Sequence, residues 1–264
     1  MDREQEYVDR TYRSLHRAGD LHYFNIRFKQ SDLAIGVDQA SYSDSLLLLC
    51  QDALLRLWRQ LEDYIRLQPD FLSALVPIKL LPEAPESARK MAAAAFKAEV
   101  GPMAAVAGTF AQAMGEILSS RCREYVIENG GDIYMHTLRP RNVAVFAGPS
   151  PFSCKIGLKI YPQEGPLSIC TSSGTVGPSL SFGQADAVVI KAGDAALADA
   201  VATGAANRVQ NENDLLKAID YVKNISGVAG ILAVKNDNMA AWGAIELGPL
   251  SGEEKNLPRL MADK

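Results

Sequence analysis

Three stretches of the chain hold residues fit for chemistry. The first is ENGGDIY, Glu128 to Tyr134, where Glu128, Asn129 and Asp132 flank the tandem glycines Gly130 and Gly131. Tandem glycines reach backbone angles closed to other residues and bring the main chain against a ligand. Extended apolar runs on both sides make the stretch a strand, a glycine turn and a second strand. A plain hairpin turn has the same pattern, because Asn-Gly is a strong hairpin signal, and the spacing leaves both readings open. The second stretch is TSSGTVGPSLSFG, from Thr171 to Gly183. Thr171, Ser172, Ser173, Gly174 and Thr175 can offer backbone N–H groups and hydroxyls to an anion such as phosphate. A solvated surface loop has the same composition, and neither the GxxxxGK[ST] nor the GxGxxG pattern fits. The third is DAALADAVATGAANRV, a predicted helix capped by Asp194. Its Asp199 and Thr203 stand four residues apart, on one face. A carboxylate and a hydroxyl so placed can hold a divalent ion through oxygen, as magnesium prefers. A helix of small residues packed on a sheet has that spacing too.

Single residues add less. Cys170 directly precedes the Ser/Thr/Gly stretch and is a reactive thiol if the loop's N–H groups lower its pKa; the alternative is a buried cysteine at a strand end. His136 closes the run IYMH, and no GxSxG elbow accompanies it, which argues against a Ser-His-Asp hydrolase. His16 and His22 read as surface residues beside a turn.

These residues need a scaffold, and periodicity outlines one. Alternation from Leu21 to Phe28 is the period-two signal of a half-buried strand; a hairpin is expected, turning at Ala18-Gly19-Asp20 and extended by LAIGV. From Ser43 the pattern becomes helical, with Leu54, Leu57, Trp58, Leu61 and Ile65 on one face, Ser43 or Asp44 as cap and Pro69 as terminator. Pro77, Pro82 and Pro85 mark a connecting loop. Two helices follow, from Glu86 and from Pro102, with Val100-Gly101 as the stop between them. Strands are predicted at VAVFAG (from Val143), CKIGLKIYP (from Cys154), SICTSS (from Ser168) and QADAVVIKAG. After the Asp194 helix comes another at ENDLLKAIDYVKNI, then two strands, GVAGILAVKND and MAAWGAIEL, and a polar tail beyond Leu250. Segregated strands and helices imply an α+β fold, with helices on one face of a largely antiparallel sheet.

Composition narrows the function classes. The chain has 264 residues, 48% of them apolar, enough for a sizeable core in one large domain or two small ones. Lys and Arg number 27 against 31 Asp and Glu, and no basic stripe is interleaved with aromatics, which argues against a nucleic-acid binder. The charged start lacks the apolar core of a signal peptide, and no apolar run reaches membrane-spanning length. A soluble, cytoplasmic protein without a membrane partner is the expectation. The four cysteines form no CxxC pair and read as reduced thiols.

Several motifs together resemble an uncharacterised prokaryotic family related to the ApbE-type FAD:protein FMN transferases, once called thiamine-biosynthesis ApbE-like proteins. They are VGPMAAVAG (Val100 to Gly108), ENGGDIY, SPFSCKIG (Ser150 to Gly157), CTSSGTVGPSLSFGQADAV and LADAVATGAAN. The resemblance spans nearly the whole chain. The onward link to the transferases rests on an NxGGD-like turn, on an ADAxAT-like pattern at Ala198, Asp199, Ala200, Ala202 and Thr203, and on VAGT, Val106 to Thr109, as a loose counterpart of an IAKG-like core. It implies one ApbE-like, T-fold-like domain of two pseudo-repeated strand-helix-helix-strand halves over residues 1–250, with a tail at 251–264. It also implies flavin (FAD or FMN) near the Gly130-Gly131 turn, Mg²⁺ on Asp199 and Thr203, and Asp132 orienting the substrate or completing the metal's coordination. Two departures stand out: Gly108 occupies the place of the transferase lysine, and the HIIDPxTG segment is missing. In the loop that replaces it, Pro178 stands where close relatives often carry histidine. The expected ligand is a small phosphate-bearing molecule, held by an FMN-transferase-like or pyrophosphate-cleaving enzyme. The alternatives are a non-catalytic flavin- or nucleotide-binding subunit and a sulfur-handling protein using Cys170. The sequence leaves a homo-oligomer open.

Overall fold

The computed structural model describes residues 19–175, 181–250 and 261–262. His16, Pro178 and most of the expected tail lie outside them.

The described residues begin with a hairpin, β1 (Leu21–Phe28) and β2 (Ser31–Asp38). Its turn lies at Lys29-Gln30, where Lys29 takes a left-handed φ of 53°; the turn expected at Ala18-Gly19-Asp20 begins outside the described residues, and Gly19 and Asp20 precede β1. LAIGV is therefore the second strand of the hairpin and not an extension of it. Phe24 and Ile26 of β1 join Leu33, Ile35 and Val37 of β2 in the core. Helix α1 (Asp44–Leu67) is capped by Ser43, whose Oγ accepts the Leu46 N–H at 3.2 Å. It buries Leu54, Trp58 and Leu61, and the Trp58 indole donates to Ser31 Oγ at 3.0 Å, which ties the helix to β2. A short turn, α2 (Asp70–Ser73), follows. Helix α3 (Glu86–Ala98) ends at Glu99, which adopts a left-handed φ of 55°. The stop was expected at Gly101, but that glycine serves close packing: a methyl group there would lie 1.8 Å from the Ala74 carbonyl oxygen. Helix α4 (Val106–Leu118) is entered through a 3₁₀ turn at Pro102–Ala105.

Strands β3 (Tyr125–Asn129), β4 (Asp132–His136), β5 (Arg141–Ala144), β6 (Ile156–Ile160), β7 (Leu167–Ser172) and β8 (Ala187–Ala192) lead to helix α5 (Ala195–Ala206). Asp194 caps α5 by accepting the Leu197 N–H at 2.8 Å. Helix α6 (Leu215–Lys223) follows a 3₁₀ turn that begins after Asn211. Strands β9 (Val228–Lys235), β10 (Asn238–Gly243), β11 (Leu247–Pro249) and β12 (Met261–Ala262) complete the order.

Among the described residues nine strands form one sheet in the order β1-β2-β3-β4-β7-β8-β9-β10-β12, antiparallel except for the last pair. The α+β reading holds, with helices packed on one face. The other face, on which the sequence is silent, carries a three-stranded sheet, β11-β6-β5. Period-two alternation sends each central strand's side chains into two different cores. Tyr134, Cys170, Val188 and Ile190 join the helix-side core. Ile133, Met135, Ile169 and Val189 pack against Leu158 and Ile160 of the small sheet. Asp132, two residues before Tyr134, is thereby placed with Cys170 on the helix side. No helix among the described residues is long and apolar enough to cross a membrane. All four cysteines are free, and Cys154 alone is partly exposed.

Candidate functional site

Helix α5 is sheathed almost completely. Between Ala195 and Asn207 every position is buried except Asp199, Thr203 and Asn207, which are half-buried. Steps of four keep those three on one face. The small residues elsewhere on the helix allow close approach by its neighbours: a methyl at Gly204 would meet the Tyr221 hydroxyl at 2.3 Å. One polar stripe is therefore all that the helix opens to a ligand.

At the head of this stripe Asp199 meets the first turn of α4. Its Oδ2 accepts the Gly108 N–H at 2.8 Å, and the carboxylate also accepts the Ala107 N–H. The first N–H groups of a helix lack intrahelical acceptors, and the helix dipole favours an anion there. Burial and then the nearby Asp132 outweigh these bonds and push the Asp199 carboxyl well above the usual carboxylate range. The crossing of α4 and α5 is so close that a methyl on Gly108 would lie 2.3 Å from Ala195 O and 2.9 Å from Asp199 Cβ. No side chain fits where the transferase lysine was sought. The Gln112 side chain accepts the Ala195 N–H at 2.7 Å and fixes the same crossing.

The ENGGDIY stretch is a two-residue hairpin between the paired residues Asn129 and Asp132, with Gly130 at φ 71° and Gly131 at φ 107°. Positive φ at both turn positions suits the twist of the strands. The Glu128 carboxylate folds back to accept the Gly131 N–H at 2.8 Å. The turn also delivers its flanking side chains to the site. Asn129 Nδ2 donates to Ala107 O at 3.1 Å, beside the α4 turn that holds Asp199, and Asp132 Oδ1 accepts the Thr171 N–H at 3.2 Å. Asn129, Asp132, Thr171, Asp199 and Thr203 thus gather around the open face of α5.

The segment from Thr171 to Thr175 departs from the expected anion cradle, because its donors turn inward. Ser172 pairs within the sheet with Val188. Gly174 N–H and the Ser173 hydroxyl both donate to Ala185 O, at 2.9 and 3.3 Å, and Thr175 N–H donates to Ser173 Oγ at 3.1 Å. The Thr175 hydroxyl donates to Asp186 at 3.2 Å. Asp186 is only 1% exposed, and a buried carboxylate requires donors; it also accepts the Asn236 N–H at 2.5 Å and pairs with Lys235 at 3.5 Å. Nothing in the strand QADAVV distinguished this aspartate from an ordinary surface charge.

The far stem of the loop rests on the end of α5. Asn207 Oδ1 accepts the Phe182 N–H at 2.9 Å and the Ser181 hydroxyl at 3.3 Å, and Gln210 Nε2 donates to Phe182 O at 2.9 Å. Asn207 was missed by the sequence reading, although the step of four from Asp199 to Thr203 continues to it. Cys170 lies under the site, fully buried, with Sγ 3.2 Å from Ser168 Oγ and 3.6 Å from Ala195 O. Burial, Asp132 and Asp199 push its thiol well above the ordinary value, the opposite of the shift a reactive thiol needs. His136 closes β4 at the end opposite Asp132, against the Tyr125 ring. No group of three His, Cys, Asp or Glu side chains poised for a metal occurs among the described residues.

The sequence comparisons bear on this arrangement. A model of the family described as AbpE bacteria matches residues 13–223. The chain belongs to this family. A UPF0280 protein of Methanocella arvoryzae is 41% identical over 198 residues, 75% of this chain and 80% of its own. A UPF0280 protein of Methanocorpusculum labreanum is 43% identical over 185 residues, 69% of this chain and 77% of its own. Among solved structures, the apo form of Pseudomonas stutzeri flavinyl transferase ApbE superposes with a TM-score of 0.52 at 11% identity, over 84% of this chain and 94% of that one. At that identity the likeness is one of fold.

Proposed function

We propose that the protein binds a flavin or another phosphate-bearing ligand, together with Mg²⁺, along the open face of α5. The observation that carries this reading is the polar stripe itself: Asp199, Thr203 and Asn207 are the half-buried positions of a helix buried elsewhere, with Asp132 close enough to perturb Asp199. Two carboxylates and a hydroxyl are hard oxygen donors of the kind Mg²⁺ takes, and Asp132, Asp199 and Thr203 would hold it, with water or ligand oxygens completing the set. Bound there, the ion would polarise a phosphoryl oxygen as a Lewis acid. The protein's own groups orient the donors: the Gly108 and Ala107 N–H groups aim the Asp199 carboxylate, and the Thr171 N–H aims Asp132. The fold shared with a flavinyl transferase supports a flavin as the ligand and group transfer of that kind as the activity.

Two observations favour a second reading, a binding subunit without turnover. Gly108 leaves no room for a side chain, and the loop donors at Ser173, Gly174 and Thr175 are engaged internally. Burial and the raised pKa of its thiol weigh against a sulfur-handling role for Cys170. Titration with FAD, with and without Mg²⁺, followed by flavin fluorescence, tests the binding step. Expected is Mg²⁺-dependent binding at or below roughly tens of micromolar, within the usual span of enzyme KM values, lost in Asp199→Asn. Absence of binding to wild type refutes the flavin reading. Release of AMP from bound FAD separates the enzyme from the binding subunit.

A further inference from the structure

We propose that Phe182 is the platform on which the flat ring of the ligand stacks, with Asn207 as the residue that positions it. The inference rests on the binding reading above and names the part of the ligand that the Asp199 end leaves unaccounted for.

Phe182 is 57% exposed, a costly placement for a large apolar ring. Its backbone is nonetheless fastened on both sides, by Asn207 at its N–H and by Gln210 at its C=O, each at 2.9 Å. A third bond links Ser181 to the same Asn207 oxygen. The glycines beside it lock the stem: a methyl on Gly183 would lie 1.8 Å from Ala206 O, and one on Gly174 would lie 2.0 Å from Gly183 O. An exposed aromatic on so constrained a backbone is a presented surface.

Its place along α5 supplies the second half of the argument. Asn207 lies one helical turn beyond Thr203 and two beyond Asp199, about 12 Å along the axis at 1.5 Å per residue. A ligand with phosphate at Asp199 and Thr203 that runs along this face toward Asn207 brings its ring to Phe182. That separation suits a nucleotide or a flavin phosphate, in which a sugar or ribityl chain divides the phosphate from a planar heteroaromatic ring. Stacking on an aromatic face is the usual way to hold such a ring without reading its edge. The ligand class is thus a phosphate-bearing planar heteroaromatic.

Calorimetric titration of the full chain with FMN and with ADP, each with Mg²⁺, tests the assignment and compares a flavin ring with an adenine ring. Wild type is expected to bind at least one of them. Phe182→Ala and Phe182→Leu should weaken that binding by about five- to a hundredfold, the usual range for loss of one stacked base. Phe182→Tyr and Phe182→Trp should retain it, and Asn207→Ala should weaken it as Phe182→Ala does. Rescue by any aromatic ring, but not by leucine, is a pattern that a merely structural role does not produce. Wild-type binding with Phe182→Ala and Phe182→Leu within twofold of wild type overturns the platform and leaves the binding reading standing. Failure of wild type to bind either probe sinks both.

Discussion

Substitution of Gly108 by alanine tests the geometry on which the site depends. The added methyl would stand 2.3 Å from the Ala195 carbonyl oxygen, short of ordinary van der Waals contact by about 1 Å, and 2.9 Å from Asp199 Cβ. Both neighbours belong to α5, whose other faces are buried against the core, so the helix cannot yield easily. Overpacking of this kind costs about 1–3 kcal/mol, and backbone on the far side places it at the upper end. Alanine recovers about 1 kcal/mol of helix propensity over glycine. The net expectation is a loss of about 2 kcal/mol, which for a domain of this size lowers Tm by about 4–8 °C. Ligand binding should weaken in parallel, because the displaced Asp199 loses the Gly108 N–H that aims it. Differential scanning calorimetry measures the first effect and flavin titration the second. Gly193→Ala is the control, since nothing lies within 4 Å of a methyl there, and it should melt within about 1–2 °C of wild type. A Gly108→Ala protein that melts with the control and binds ligand normally would refute the close crossing of α4 and α5.

Three further expectations follow from other parts of the molecule. Arg141 is 9% exposed and pairs with Glu124, 3% exposed, at 2.6 Å and with Asp20 at 2.9 Å; Arg141→Ala strands a buried carboxylate and should cost about 3 kcal/mol or more in urea unfolding, whereas a loss under 1 kcal/mol would contradict that burial. The hydrogen bond and charge of Arg141 hold the Asp20 carboxyl below its ordinary value of 3.8. Its stabilising contribution is therefore full above pH about 4 and fades as pH falls through the lowered folded pKa, so Asp20→Asn should flatten the acid limb of a Tm-against-pH profile, and an unchanged slope there would count against the pairing. Among the thiols, Cys154 is the one partly exposed, while burial raises Cys50 to about 12 and Cys122 to about 11 and pushes Cys170 well up; brief alkylation at pH 8 with peptide mapping should label Cys154 first, and prior labelling of Cys170 would restore it as a candidate nucleophile.

The sequence was most legible where local chemistry and tertiary packing agree. Helices α1 and α5 announced themselves by apolar or small-residue patterns behind Ser43 and Asp194, and both caps form as expected. Glycine misled where it has two uses: Gly101 looked like a helix stop but permits contact with Ala74, while Glu99 ends α3 in a left-handed conformation that residue type does not advertise. The first hairpin turns on Lys29-Gln30, without glycine, and so was assigned to the nearest glycine instead. Two strands of the small sheet were legible at VAVFAG and CKIGLKIYP, but not that they form a separate sheet, because β11 finds its partner β6 about ninety residues earlier, with Leu247 opposite Leu158. In the site, Asn129, Asp132, Asp199 and Thr203 were readable as polar residues in settings of glycine and alanine. Asp186 accepts the Thr175 hydroxyl and the Asn236 N–H, and Asn207 accepts the Phe182 N–H and the Ser181 hydroxyl, pairings that no spacing rule announces.

The sheathing of α5 also limits how this protein can change. A helix enclosed by other chain on nearly all sides admits few variants at its buried positions, where even a methyl collides with backbone or ring at Gly204. On the proposed binding role, drift in ligand preference would act through Asp199, Thr203 and Asn207, or through the segments facing them. The interior of the helix behaves as a fixed keel, and diversification within the family is expected to concentrate at the half-buried positions along its polar stripe.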